Sequence, residues 1–177
     1  MNPVTNEKQK IELGTADGFL RLYNKHFGTS FRVLEQSDAP DIRCVDDAGR
    51  ELNLEITATE DSDRDIQALL GRSRHKSIDA LAEQNDRVAS GLTSTQFVAF
   101  EDVKTTLTAR ITSKFDKDYG SNVALVVRDT SGCDWEWDEV AEEIASALDL
   151  TRNPFDQGVW LLTRVKDKLF RIVEPRH

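Results

Sequence analysis

Apolar residues first recur with a helical period. Leu13, Ala16, Leu20, Tyr23 and Phe27 follow one another at steps of three and four, which lines one face of a helix from about Glu7 to Phe27. Gly14 and Gly18 loosen that helix, and Gly28 offers a C-terminal stop. The period then changes. Phe31 and Val33 fit a short strand, and Asp41-Ile42-Arg43-Cys44-Val45 reads as a second. Asp46-Asp47-Ala48-Gly49 is a hairpin turn, with Gly49 free to take a positive φ. Glu51 to Ala58 alternates strictly: Leu52, Leu54 and Ile56 face one way, and Glu51, Asn53, Glu55 and Thr57 the other.

The second half predicts helices and strands in alternation. A polar, mostly helical stretch runs from about Asp63 to Arg87. Val103, Leu107, Ile111 and Phe115 repeat at i, i+4 and predict a helix over Asp102 to Asp118. Asn122 to Arg128 (NVALVVR) is a nearly continuous apolar run, as a central strand covered on both faces should be. Trp137 to Leu148 predicts an amphipathic helix. Val159 to Leu162 and Leu169 to Val173 predict two closing strands around a Lys166-Asp167 turn. The order predicts an α/β fold with a mixed central sheet flanked by helices. At 177 residues the chain has the usual size of a single domain, here 1–177.

Composition narrows the function classes. There is no run of about 18 apolar residues, so no membrane span is expected. The N-terminus MNPVTNEKQK has no apolar stretch of the kind a signal peptide carries. Cys44 and Cys133 fit no metal-ligand spacing and are expected as free, buried thiols in a cytoplasmic protein. Gly-rich phosphate loops and dinucleotide fingerprints are absent. The net charge of −9 argues against strong non-specific DNA binding. A local basic strip would still suffice, and metal-binding acids would themselves add negative charge. An acidic mimic of DNA is disfavoured because 23 lysines and arginines are interspersed with the acids.

Asp41 and Glu55 carry the candidate chemistry. They stand fourteen positions apart, on strands joined by a hairpin turn. Paired strands lie about 4.8 Å apart, so two carboxylates on one face converge. Two such acids and a backbone carbonyl suit a hard cation such as Mg²⁺, with Mn²⁺ as a substitute. A bound cation polarises a phosphoryl oxygen and helps to generate a hydroxide nucleophile.

Pro40-Asp41, followed by Glu55-Ile56-Thr57 within an apolar strand, resembles the PD-(D/E)xK motif of restriction-type and repair nucleases. The resemblance covers roughly residues 7 to 128 and implies an αβββαβ restriction-endonuclease-like core. It implies that Asp41 and Glu55 ligate the metal with help from the Ile56 carbonyl. An acid on the first helix would join them, Glu12 being the better match and Glu7 the weaker. It further implies a Mg-dependent DNA endonuclease of restriction, phage defence or mobile-element systems. Thr57 departs from the pattern, because the family usually has lysine there. Threonine can orient a water but cannot supply a cation. Three readings stay open. Another basic residue fills the role, with Lys76, Lys114 and Lys117 as candidates; the enzyme works with Thr57 as it stands; or the site is inactive and the fold serves as a protein-binding or regulatory module.

Other residues carry paired readings. Arg72, Arg74 and Lys76, with His75, fit either phosphate contacts or a solvated helix face. Lys114 and Lys117 fit DNA contacts or solubilising charges. Asp41 fits a turn residue as well as a ligand, and Glu12 and Glu55 fit solvent-facing acids as well as site residues. Trp135 and Trp137 fit core packing or a partner surface. A small nuclease without a recognition domain often depends on a homodimer or a protein partner, and DNA would be the substrate.

Overall fold

The computed structural model describes residues 3–58, 100–129, 136–163 and 167–176, with side chains from residue 8 in the first span and residue 104 in the second. The fold and site described below belong to the unit formed by Met1–Thr59 and Thr106–His177, except that residues 100–105 fall in a second unit, Glu60–Thr105. The predicted helix over 63–87, the basic run Arg72–Lys76, Cys133, Trp135 and Lys166 lie outside the described residues.

Helix α1 spans Pro3–Phe27 and ends just before Gly28. The meander follows as β1 (Arg32–Gln36), β2 (Ile42–Val45) and β3 (Glu51–Ala58). The hairpin between β2 and β3 turns on Gly49 at φ 78°, and the Asp46 carboxylate closes it by accepting from the amides of Ala48 and Arg50. Helix α2 spans Phe100–Lys114 and leads to β4 (Val123–Arg128). Helix α3 (Trp137–Ala147) and a 3₁₀ turn at Leu150–Arg152 lead to β5 (Val159–Thr163) and β6 (Lys168–Val173).

The six strands form one sheet in the order β1-β2-β3-β4-β5-β6. β1, β2 and β3 pair antiparallel; β3, β4 and β5 pair parallel; β6 returns antiparallel to β5. The molecule is therefore α/β, with a six-stranded mixed sheet and three helices among the described residues. β4 sits between two parallel neighbours, and Val123 to Val127 are fully buried, as its unbroken apolar run requires.

One face of the sheet packs on α1. Ala16, Phe19, Leu20 and Tyr23 from the helix meet Ile42, Cys44, Leu52, Leu54, Ala124, Val126 and Trp160 from the strands. Phe19 and Tyr23 form an aromatic cluster with Trp160. Phe27, expected on that face, is at the helix end and 40% exposed. Burial pushes the Cys44 thiol up to about 12, and it is free, as expected. Trp137 is fully buried, which settles it as a packing residue. No helix among the described residues is long and apolar enough to cross a membrane.

Candidate active site

The antiparallel register of β2 and β3 pairs Ile42 with Leu54 and Arg43 with Asn53. One step further along that register sets Asp41 across from Glu55. Residues directly opposite in an antiparallel pair share a face, so the two carboxylates lie on the same side of the sheet. That side is the one turned away from α1's apolar core, because Ile42, Leu54 and Ile56 pack toward α1.

β2 ends where Asp41 begins, and the end of the ladder explains how Asp41 is held. Asn53 donates its amide to Asn122 beside β4, so the even-numbered amides of β3 point toward β2. Past Leu54 there is no further β2 partner. The Asp41 Oδ2 takes that place and accepts from the Ile56 amide at 2.8 Å. The N–H and C=O of a strand residue lie on the same edge, so the Ile56 carbonyl also faces the corner beside Asp41.

The acids are withdrawn from solvent, unlike the solvent-facing alternative for Glu12 and Glu55. Asp41 is 7%, Glu55 5% and Glu12 8% exposed, and Thr57 is buried on the face of Glu55. Burial is the largest influence on Asp41, and the charges of Glu55 and Glu12 add to it. Together they outweigh the Ile56 hydrogen bond and raise Asp41 to about 6. Glu12 is also raised, by burial and then by Glu55, against the opposing pull of Lys8. Lys8 pairs with Glu12 at 3.3 Å. Burial works to lower the Lys8 ammonium, but Glu12, Asp41 and Glu55 together hold it above its ordinary value. The three acids therefore act on one another electrostatically, although they come from α1, the end of β2 and β3. Glu7 belongs to α1, and its side chain is outside the described ones.

Lys114, on the last turn of α2, reaches Glu55. Its Nζ donates to Glu55 Oε1 at 2.9 Å, and the lysine side chain is largely buried. A cation therefore stands at the acid pair although position 57 carries none. It arrives from a helix fifty-nine positions away rather than from the same strand. α2 ends at Lys114, short of the expected Asp118, and Lys117 lies beyond it, exposed to solvent. The other oxygen, Glu55 Oε2, is buried and accepts no hydrogen bond.

The residues present have the chemistry for a divalent cation. An ionised carboxylate has about four acceptor positions, and Glu55 uses one of them on Lys114. Among the described residues no three His, Cys, Asp or Glu side chains form a ready-made metal cage. Mg²⁺ is ordinarily held by one or two carboxylates with water and substrate oxygens completing the shell, so two acids are the expected protein contribution.

Tyr119 was not anticipated from the sequence. It is buried beyond the end of α2, with its hydroxyl near Glu55. No family model, curated protein or solved structure matches the chain in the comparisons made with each.

Proposed function

We propose that the protein is a metal-dependent nuclease-like enzyme that hydrolyses DNA phosphodiester bonds, built on a restriction-endonuclease-like αβββαβ core. The observation that carries this reading is the buried meeting of Asp41 and Glu55 on one face, with the Lys114 ammonium on Glu55. The order α1, β1, β2, β3, α2, β4 supports the core. Asp41, Glu55 and the Ile56 carbonyl would hold Mg²⁺ or Mn²⁺. When bound, the cation supplies Lewis acidity toward a phosphoryl oxygen.

The chain's own groups divide the remaining work. Lys114 supplies the positive charge that Thr57 lacks, and it stabilises the negative charge that develops on phosphate during attack. The Thr57 hydroxyl orients water from the same face by hydrogen bonding. Glu12 adds negative charge beside the pair and is held in place by Lys8. Lys117 is exposed near Lys114 and suits a phosphate contact; Arg72, Arg74 and Lys76 keep the same assignment from sequence alone. Restriction, phage defence or mobile-element biology is the setting for such an enzyme, with a homodimer or protein partner supplying specificity.

Plasmid cleavage with Mg²⁺ or Mn²⁺ tests the proposal. Wild type should nick or linearise the plasmid, and Asp41→Ala and Glu55→Ala should each lose roughly a hundredfold or more. Cleavage that survives both substitutions removes these residues from the site.

A second reading has its own support. The −9 charge and the Glu55–Lys114 ion pair suit a nuclease-like scaffold that binds a protein and cleaves nothing. In that case Lys114 neutralises a buried acid and stabilises the fold. Lys114→Ala would then lower stability, while wild type would neither bind Mn²⁺ nor cleave DNA.

A further inference from the structure

Tyr119 lies five residues past Lys114, beyond the end of α2. Its ring stacks at a tilt on Phe155, with centroids 5.1 Å apart, and the residue is 6% exposed. Its hydroxyl is buried and makes no hydrogen bond of ordinary geometry. Glu55 Oε2, a buried acceptor, is in the same condition. The phenol lies within side-chain hydrogen-bonding reach of the Glu55 carboxylate, short of ordinary geometry; burial first, then Glu55 and Asp41, raise it above its ordinary value.

A buried hydroxyl that has given up water without gaining an acceptor is destabilising, and so is a buried carboxylate oxygen without a donor. One small movement satisfies both. We propose that Tyr119 is a positioning residue for Glu55, its hydroxyl donating to the carboxylate that Lys114 holds at Oε1. Glu55 is then fixed by two donors from one stretch of chain, a cation at Lys114 and a neutral phenol at Tyr119. The carboxylate keeps acceptor positions for a divalent cation, and its orientation is set before the cation arrives. The inference rests on the reading of Asp41 and Glu55 as metal ligands. It adds that the single lysine expected at position 57 is replaced by a pair of donors, one on the last turn of α2 and one just past it.

Tyr119→Phe removes only the hydroxyl and leaves the ring on Phe155. Two measurements on the full chain test the role. The first is a metal-free double-variant cycle in urea, using Tyr119→Phe, Glu55→Ala and both together, with Glu55→Gln in place of Glu55→Ala if the alanine variant does not fold. The midpoint should fall on Tyr119→Phe in the wild-type background and stay unchanged where Glu55 is already replaced. The second is calorimetric titration with Mn²⁺, where Tyr119→Phe should bind about tenfold more weakly than wild type. An additive cycle overturns the proposal. Coupling together with equal Mn²⁺ affinity in wild type and Tyr119→Phe also overturns it, since the contact would then be structural only. Coupling in a wild type that binds no Mn²⁺ supports Tyr119 as the partner that holds Glu55 and overturns the metal reading instead.

Discussion

β3 divides its side chains between two buried faces of opposite character. Leu52, Leu54 and Ile56 join the apolar cluster under α1. Asn53, Glu55 and Thr57 are just as inaccessible, yet they are polar, and Asp41 joins them from across the hairpin. Burial alone explains the first face, since apolar area removed from water stabilises by about 25 cal/mol per Å². It does not explain the second, because burying an ionisable group costs free energy, which the Glu55–Lys114 pair and the Asp41–Ile56 hydrogen bond have to offset. A sheet that places Leu52 and Leu54 so well could place leucine at 55. The acid face is therefore where burial costs stability, and the α1 face is where stability is recovered.

Substitutions on the two faces should separate these roles. The largest effect is expected on the apolar side. Phe19 is fully buried among Tyr23, Trp160 and the strands, so Phe19→Ala should destabilise by about 3–5 kcal/mol in urea unfolding. The fraction that stays folded should cleave normally. A cleavage defect larger than the unfolded fraction would mean that the two faces are not separable. On the acid side, Lys114→Ala should cut cleavage by roughly a hundredfold through loss of a charge-stabilising donor. Unaltered cleavage would return Lys114 to the class of ordinary structural ion pairs.

A smaller effect concerns pH. Asp41 titrates at about 6 in the folded protein against an ordinary value of 3.8. Between those values the folded chain binds more protons than the unfolded chain, so this group's contribution to stability falls as pH rises from about 4 to 6. The loss is roughly 2 to 3 kcal/mol. Asp41→Asn should be more stable than wild type at pH 7, and the advantage should shrink toward pH 4. A wild type whose stability rises through that window, with no change in slope on Asp41→Asn, would contradict the burial assigned to Asp41.

Local pattern made much of the fold legible, and long-range placement hid part of the site. β3 follows from strict alternation, and its observed bounds, Glu51–Ala58, are those expected. β4 follows from an apolar run that no helix-length pattern rivals. Phe19 lies off the count that runs from Ala16 to Leu20 and on to Phe27, yet Phe19 is fully buried and Phe27 faces solvent at the end of α1. Asp41 and Glu55 could be brought together from the hairpin between them, since one turn fixes that register. Lys114 stood among three candidate bases, and nothing local set it above Lys117. Only the packing of α2 decides which lysine meets Glu55. Tyr119 had no sequence signal beyond an aromatic residue just before Gly120, so its place beside Glu55 came from the tertiary structure alone. The family resemblance rests on the short motif and on element order.

Calorimetric titration of metal-free protein with Mn²⁺ tests the central claim most directly. A metal site at Asp41 and Glu55 predicts saturable binding in wild type that is lost in both Asp41→Asn and Glu55→Gln, each of which keeps side-chain size while removing a charge. Binding that persists unchanged in both variants, or wild type that binds no Mn²⁺ while remaining folded, would contradict it.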